Sequence, residues 1–262
     1  MAPFTVLVFT KTLLFRHPSI EAGISMFQRL ADASTASDHP FVVEASEDSG
    51  AVFTPENLAR YRVVVLLHCT GVILDAAQLT ALEGYVGGGN GGVVGIHASA
   101  GAMKSKDVDP KGFYGRLLGA VFTEHSAAQL GRIIIKSPKH PVVSPFLAHV
   151  SSFSEASLSE PSFSVFDEWY NFEPTSCAVV ASKKTTGTLS TSDPSILLTT
   201  DETTYEGGKH GEDHPIAWVW PDFESTGTRV FYTALGHFAE SYEDDVFVTH
   251  LKNAVLWSAK LL

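Results

Sequence analysis

Cysteine is nearly absent from this chain: Cys69 and Cys177 are the only two in 262 residues. Two cannot build a disulfide framework, so a reduced, cytoplasmic setting is expected. Positive charge is scarce as well, with 18 Lys and Arg against 29 Asp and Glu and a formal net charge of −11. Such a field repels phosphate backbones, which argues against nucleic acid as a partner. No apolar run reaches about 18 residues, so no membrane span is expected. No basic stretch leads into an apolar run with a small-residue cleavage site, so no signal peptide is expected.

The common chemical signatures are missing too. Thr10-Lys11-Thr12 follows the first strand where a G-x-G-x-x-G fingerprint would stand, and the run GYVGGGNGG precedes a strand instead of opening a helix. No G-x-x-x-x-G-K-[ST], H-E-x-x-H or C-x-x-C occurs. A nucleotide cofactor is therefore not expected.

What is present is a regular alternation. Phe4 to Phe9 (FTVLVF), Phe41 to Glu44, Val63 to Leu67 and Val93 to Ile96 are short apolar runs rich in β-formers, which read as strands buried on both faces. Between them, Ile20, Ile24, Phe27 and Leu30 recur at helical spacing, and Thr54-Pro55 reads as a cap and first turn. Ala76 to Tyr85 reads as a helix stopped by the glycines that follow. Strand, helix, strand at this spacing predicts parallel pairing in a doubly wound α/β sheet. Further on, Phe113 to Leu118 reads as a helix and Arg132 to Lys136, Ser195 to Thr199, Ile216 to Trp220 and Arg229 to Ala234 as strands. Glu243 to Leu261 reads as a closing amphipathic helix. Val150 to Ser159 and Thr185 to Ser192 read as surface loops. With no repeat and no linker, residues 1–262 are expected to form a single domain.

Ligands of open parallel sheets bind outside the carboxyl ends of the strands. That rule sorts the 11 histidines. His17, His68, His97 and His237 each stand just past a strand, with His68 the weakest because a strand-end hydrogen bond would account for it. His39, His125, His140, His149, His210 and His250 read as surface or capping residues. Neutral imidazoles that share a cleft with a carboxylate suit a divalent ion or a proton-transfer pair. The carboxylate candidates are Asp167 and Glu168, set among aromatics in Phe166 to Phe172 (FDEWYNF). Burial there would raise a carboxyl pKa, and Trp169 and Tyr170 offer faces for a sugar ring. Asp201-Glu202 reads as a turn, and His214 either lines the cleft or caps its entrance. Residues 95–99 (GIHAS) have the frame of a nucleophile elbow with His97 in place of the nucleophile. Cys69 reads as a buried structural thiol.

The strings FRHPSI, VVGIHA, FYGRLLGAVFTEH, DEWYNF, LLTTDETTY, HPIAWVW and FYTALGHFAESYEDDVFVTHLKNAVLWSA occur in that order over nearly the whole chain. Together they resemble the ThuA-like (trehalose utilisation) family. The resemblance implies a flavodoxin-like, class I glutamine amidotransferase-like three-layer fold around a mostly parallel sheet. His97 stands where glutaminases carry cysteine, so glutamine hydrolysis through a thioester is not implied. The motif positions it carries over are His17, His97, Asp167, Glu168, Tyr170, His214 and His237. The implied function is an enzyme of carbohydrate metabolism acting on a small sugar or keto-disaccharide, by acid/base or metal-assisted hydrolysis or elimination. In that reading His97, His237, Asp167 and Glu168 are catalytic. His17, His97 and His237 are the ligands of a divalent ion such as zinc. His17, Trp169, Tyr170 and His214 meet the substrate. A non-catalytic sugar-binding or regulatory protein using the same cleft stands as the alternative, and a degenerate amidotransferase using Cys69 as a third. A homodimer is expected on general grounds.

Overall fold

The computed structural model describes residues 2–152, 160–184, 190 and 193–262. The strands are β1 (Phe4–Phe9), β2 (Phe41–Ser46), β3 (Tyr61–Leu67), β4 (Gly92–Ile96), β5 (Phe122–His125), β6 (Gln129–Ile135), β7 (Ser162–Asp167), β8 (Tyr170–Phe172), β9 (Ser195–Asp201), β10 (His214–Trp220) and β11 (Arg229–Thr233). The helices are α1 (Ile20–Ser34), the single turns α2 (Ser49–Val52) and α3 (Pro55–Leu58), α4 (Ala76–Gly87), α5 (Phe113–Leu118), α6 (Ser144–Ser152), α7 (Cys177–Ser182) and α8 (Asp245–Ser258).

Nine strands form one sheet in the order β2-β1-β3-β4-β11-β10-β9-β6-β7, and β5 pairs with β8 beside it. The first four steps, β2 to β11, are parallel. The other four, β11 to β7, are antiparallel. The expectation of a mostly parallel sheet therefore holds for one half only. The apolar runs of β1, β3 and β4 predict this half correctly because strands covered on both faces have no polar alternation to show. Of the antiparallel strands, β6 and β7 at the far end of the sheet mix partly exposed and buried positions, the mark of a wet face, whereas β10 is buried throughout.

Adjacent residues of β11 show how the middle of the sheet is covered. The ring of Phe231 meets His250 of α8 at 5.2 Å. Tyr232 points the other way and meets Trp218 at 4.6 Å, close to Gly95 and Leu118 of α5. Helices thus lie on both faces, and one apolar cluster runs from β1 through β11 to β9 and β6. Among the described residues no helix is long and apolar enough to cross a membrane.

Some boundaries differ from those read in the sequence. Val150 ends inside α6 instead of opening a loop, while residues 153–159, 185–189 and 191–192 of the two expected loops lie outside the described residues. The last helix starts at Asp245, where the Asp244 side chain caps the Phe247 N–H, so Glu243 lies before it. His210 and His250 are not surface residues: both are buried, and the His250 Nδ1–H donates to the Val142 carbonyl, 2.7 Å away.

Two features set up the cleft. β1 lies between β2 and β3, so the chain winds away from it in both directions, and the strand ends part there. The four antiparallel steps also return β7 to the sense of the parallel strands, so its carboxyl end faces the same rim. A flat sheet would hold β7 roughly 19 Å from β11, four strand spacings away. The Gly236 N–H just past β11 nevertheless donates to Asp167 Oδ2 at 2.8 Å. The sheet curls until its antiparallel end meets its parallel half.

Candidate functional site

Four side chains meet under that rim. His17 comes from the loop after β1, His97 follows β4, His237 follows β11 and Glu168 follows β7. One potential ligand atom from each lies within 4.8 Å of the others. His237 Nδ1 is 3.0 Å from Glu168 Oε2, His97 Nε2 is 3.5 Å from the same oxygen, and the two nitrogens are 3.3 Å apart. An ion with bonds of about 2.0–2.1 Å in tetrahedral geometry has ligand–ligand edges of roughly 3.3–3.4 Å. The observed triangle has the size of one such face.

The backbone aims these groups. His97 has φ of +49° and His68 of +52°, a left-handed conformation that costs a non-glycine residue about 1–2 kcal/mol. Such strain at the turn from β4 into a 3₁₀ segment is the geometry of a nucleophile elbow, here presenting an imidazole. His97 Nδ1 is 2.5 Å from the Ala234 carbonyl. A carbonyl only accepts, so Nδ1 carries the proton and Nε2 keeps its lone pair for the cleft. Gly236 sits at φ +104°, where a Cβ would lie 2.9 Å from the Tyr242 hydroxyl, and this turn brings His237 round to Glu168.

Asp167 is buried and its carboxylate faces away from the cleft opening. It accepts the N–H groups of Gly236, His237 and Glu168, so it ties the loop after β11 to the end of β7. Burial pushes its pKa up, while His97 and those backbone donors pull the other way. For Glu168 burial also acts upward, but the hydrogen bond from His237 and the neighbouring imidazole of His97 outweigh it and hold the carboxyl below its ordinary range. For His237 burial acts downward, and the hydrogen bond to Glu168 with the charges of Glu168 and Asp167 reverses it, so this imidazole is raised. His17 is lowered to about 3, first by burial and then by His97 and His237, and its Nδ1 is buried without a hydrogen-bond partner.

His17, Glu168 and His237 form the floor of a cleft of about 870 Å³, and His97 is fully buried behind them. Tyr170 is the wall, its ring packed at a tilt against His97 at 4.2 Å and Phe122 at 4.2 Å. Trp169 does not reach the cleft. It is buried against Tyr205 and Gly131, and its indole N–H donates to the Gln129 carbonyl. His214 does not reach it either: it is fully buried, with Nε2 2.8 Å from the Tyr170 carbonyl and Nδ1 2.7 Å from Glu202 Oε1. It supports Tyr170 from behind, and its partner Glu202 stands in the expected turn, which Asp201 caps. His68 lies one layer below, stacked on His17 at 4.6 Å and bonded to Ser19 and Tyr242. Cys69 is buried, with its thiol pushed up to about 12 by burial, and acts as a structural thiol.

His125 is the residue that sequence reasoning passed over. It lines the cleft, with Nδ1 3.4 Å from Glu168 Oε1. The signal was its position at the end of FYGRLLGAVFTEH, though an isolated histidine on a short strand reads as exposed. Lys104, whose ammonium lies 5.0 Å from the Phe122 ring and donates to the Phe122 carbonyl, is a second.

A family model described as ThuA, trehalose utilisation, matches residues 5–258. The chain belongs to the ThuA family. Membership implies a role in carbohydrate utilisation. Two solved ThuA-like proteins share its fold. One from Bacteroides uniformis is 23% identical with a TM-score of 0.69, over 98% of this chain and 92% of that one. One from Parabacteroides merdae is 19% identical with a TM-score of 0.61, over 98% and 90%. No curated protein matches this ThuA-family chain in sequence.

Proposed function

We propose that the cleft is the active site of an enzyme acting on a small carbohydrate, and that His17, His97, His237 and Glu168 hold a divalent ion of the zinc type at its floor. The observation that carries this reading is the convergence of the four donors within 4.8 Å. Two features of the residues fit an ion: the Nε2 lone pair left on His97 by its bond to Ala234, and the unpartnered buried nitrogen of His17. Three imidazoles and one carboxylate are also the donor types such ions favour. A bound ion of this kind polarises a carbonyl or lowers the pKa of a water.

The protein's own groups have separate tasks. Asp167 fixes the spacing of Glu168 and His237 through the backbone bonds given above. Phe122 offers a ring face to the C–H surface of a sugar, and its packing on the buried Tyr170 ring keeps water from the buried side of the floor. The strand order 2-1-3-4 of the parallel half supports the flavodoxin-like placement, in which the ligand site lies where this one does.

A second reading rests on the 3.0 Å contact of His237 with Glu168. Without an ion these two form an acid/base pair, His237 carrying the proton and Glu168 orienting it, fit for hydrolysis or elimination of a keto-glycoside.

Metal analysis of the purified protein, with turnover of a panel of disaccharides and their keto forms, tests both. Stoichiometric metal that is lost in His97→Ala, with turnover abolished in His97→Ala and Glu168→Gln, is expected. Turnover without metal favours the acid/base pair, and full activity of both variants refutes the site.

A further inference from the structure

The mouth of the cleft has a chemistry that its floor does not share. Leu13, Leu14 and Phe15 are 56%, 73% and 62% exposed, and Val72 is 39% exposed. All four line the cleft. They make up four of the nine large apolar side chains exposed among the described residues, so the exposure is gathered at one place. Single exposed apolar residues need no explanation, but a contiguous apolar rim above a polar floor does.

The rim is built, not loose. The Leu13 N–H donates to the Thr70 carbonyl at 2.8 Å, and the Thr70 hydroxyl donates to the Phe15 carbonyl at 3.0 Å. Gly71 has φ of +82°, and a Cβ there would stand 2.8 Å from Leu13 Cβ, so the rim sits where only glycine lets it sit. The Phe15 ring meets the His17 ring edge-on at 4.8 Å, which makes rim and floor continuous.

We propose that the site takes glycosides whose aglycone is apolar, an aryl or alkyl group lying on Leu13, Leu14 and Phe15 while the sugar occupies the floor at His17 and Glu168. The proposal rests on the carbohydrate reading above. A disaccharide carries hydroxyls at both ends, and the rim side chains have no atom to bond them; covering hydroxyls with leucine and phenylalanine is unfavourable. An aromatic or alkyl group gains from the same contact. Covering one ring against the rim is worth about 10- to 30-fold in affinity at the usual value per unit of apolar area.

Calorimetric titration of the full chain with p-nitrophenyl and octyl glucosides, in both anomeric forms, and with glucose and trehalose tests this. The glycosides are expected to bind about 10- to 30-fold more tightly than the free sugars. Replacing Leu13, Leu14 and Phe15 together by serine should remove that advantage and leave the free sugars unchanged; all three side chains are exposed, so the fold is retained. Gly71→Ala, which displaces the rim, should act in the same direction. Equal affinity for glycosides and free sugars, or an advantage that survives the triple substitution, overturns the aglycone assignment and leaves the carbohydrate reading standing. Binding of neither class overturns both. Loss of a dimer in the triple variant, with affinities unmoved, assigns the rim to a second copy of the chain and overturns the proposal.

Discussion

Adding zinc to metal-free protein should raise its melting temperature by an amount that depends on His97. At free zinc about 1,000 times Kd, a ligand bound only by the folded state adds about 4 kcal/mol. Unfolding entropy of about 2.1 cal/mol/K per residue, over 262 residues, gives about 0.55 kcal/mol per degree. The expected shift is about 7 °C. His97→Ala removes the Nε2 that stands 3.3 Å from His237 Nδ1 and 3.5 Å from Glu168 Oε2. A loss of about 100-fold in affinity would leave the same zinc concentration at about 10 times Kd, worth about 1.4 kcal/mol and roughly 2.5 °C. Differential scanning fluorimetry after chelator treatment measures both, each variant against its own metal-free form. That comparison cancels the left-handed strain at residue 97, which alanine inherits. His39→Ala, remote from the group, should keep the full shift. A wild-type shift below about 1 °C with zinc, manganese, cobalt and ferrous iron alike, or an equal shift in His97→Ala, would refute the ion-binding argument.

Other consequences can be measured separately. His250 is fully buried in the core and its pKa is lowered to about 4 by burial. As pH falls below 6.5 the unfolded chain takes up this proton first, so stability present above pH 6.5 is lost toward pH 4. At pH 5 the loss is about 2 kcal/mol, and urea unfolding of His250→Leu should show a pH 7 to pH 5 decrease smaller by that amount; an equal decrease contradicts it. Asp167→Asn puts an amide nitrogen among the N–H donors of Gly236, His237 and Glu168. Metal affinity should fall about 10- to 100-fold with cooperative unfolding retained, and unchanged affinity would end the positioning role. Cys69, buried with its thiol raised to about 12, should stay unmodified by iodoacetamide under native conditions in peptide mass spectrometry, whereas rapid labelling would reopen a nucleophilic role.

What the sequence conveys follows the physics of burial. Strands β1, β3 and β4 of the parallel half are legible because both their faces are largely covered, which writes them as apolar runs. Partner order in the other half is not, since it depends on contacts such as Arg132 beside Asp201 and Gly131 beside Val165, far apart in the chain. The positions of His17, His97 and His237 are legible from one rule, that strand ends carry the chemistry. In Asp167-Glu168-Trp169 the composition is visible but not the direction of each side chain. Asp167 turns to the backbone, Glu168 to the cleft, and Trp169 under Gly131. The Leu13–Phe15 rim escapes notice because an exposed leucine has no sequence signature.

The curl of the sheet places the histidines and the carboxylate on different sides of a seam. His17, His97 and His237 belong to the parallel strands, Glu168 to the last antiparallel one. Anything gripped by all four therefore works as a rivet between the two halves, beside the bonds from Gly236 and His237 to Asp167 that already cross the seam.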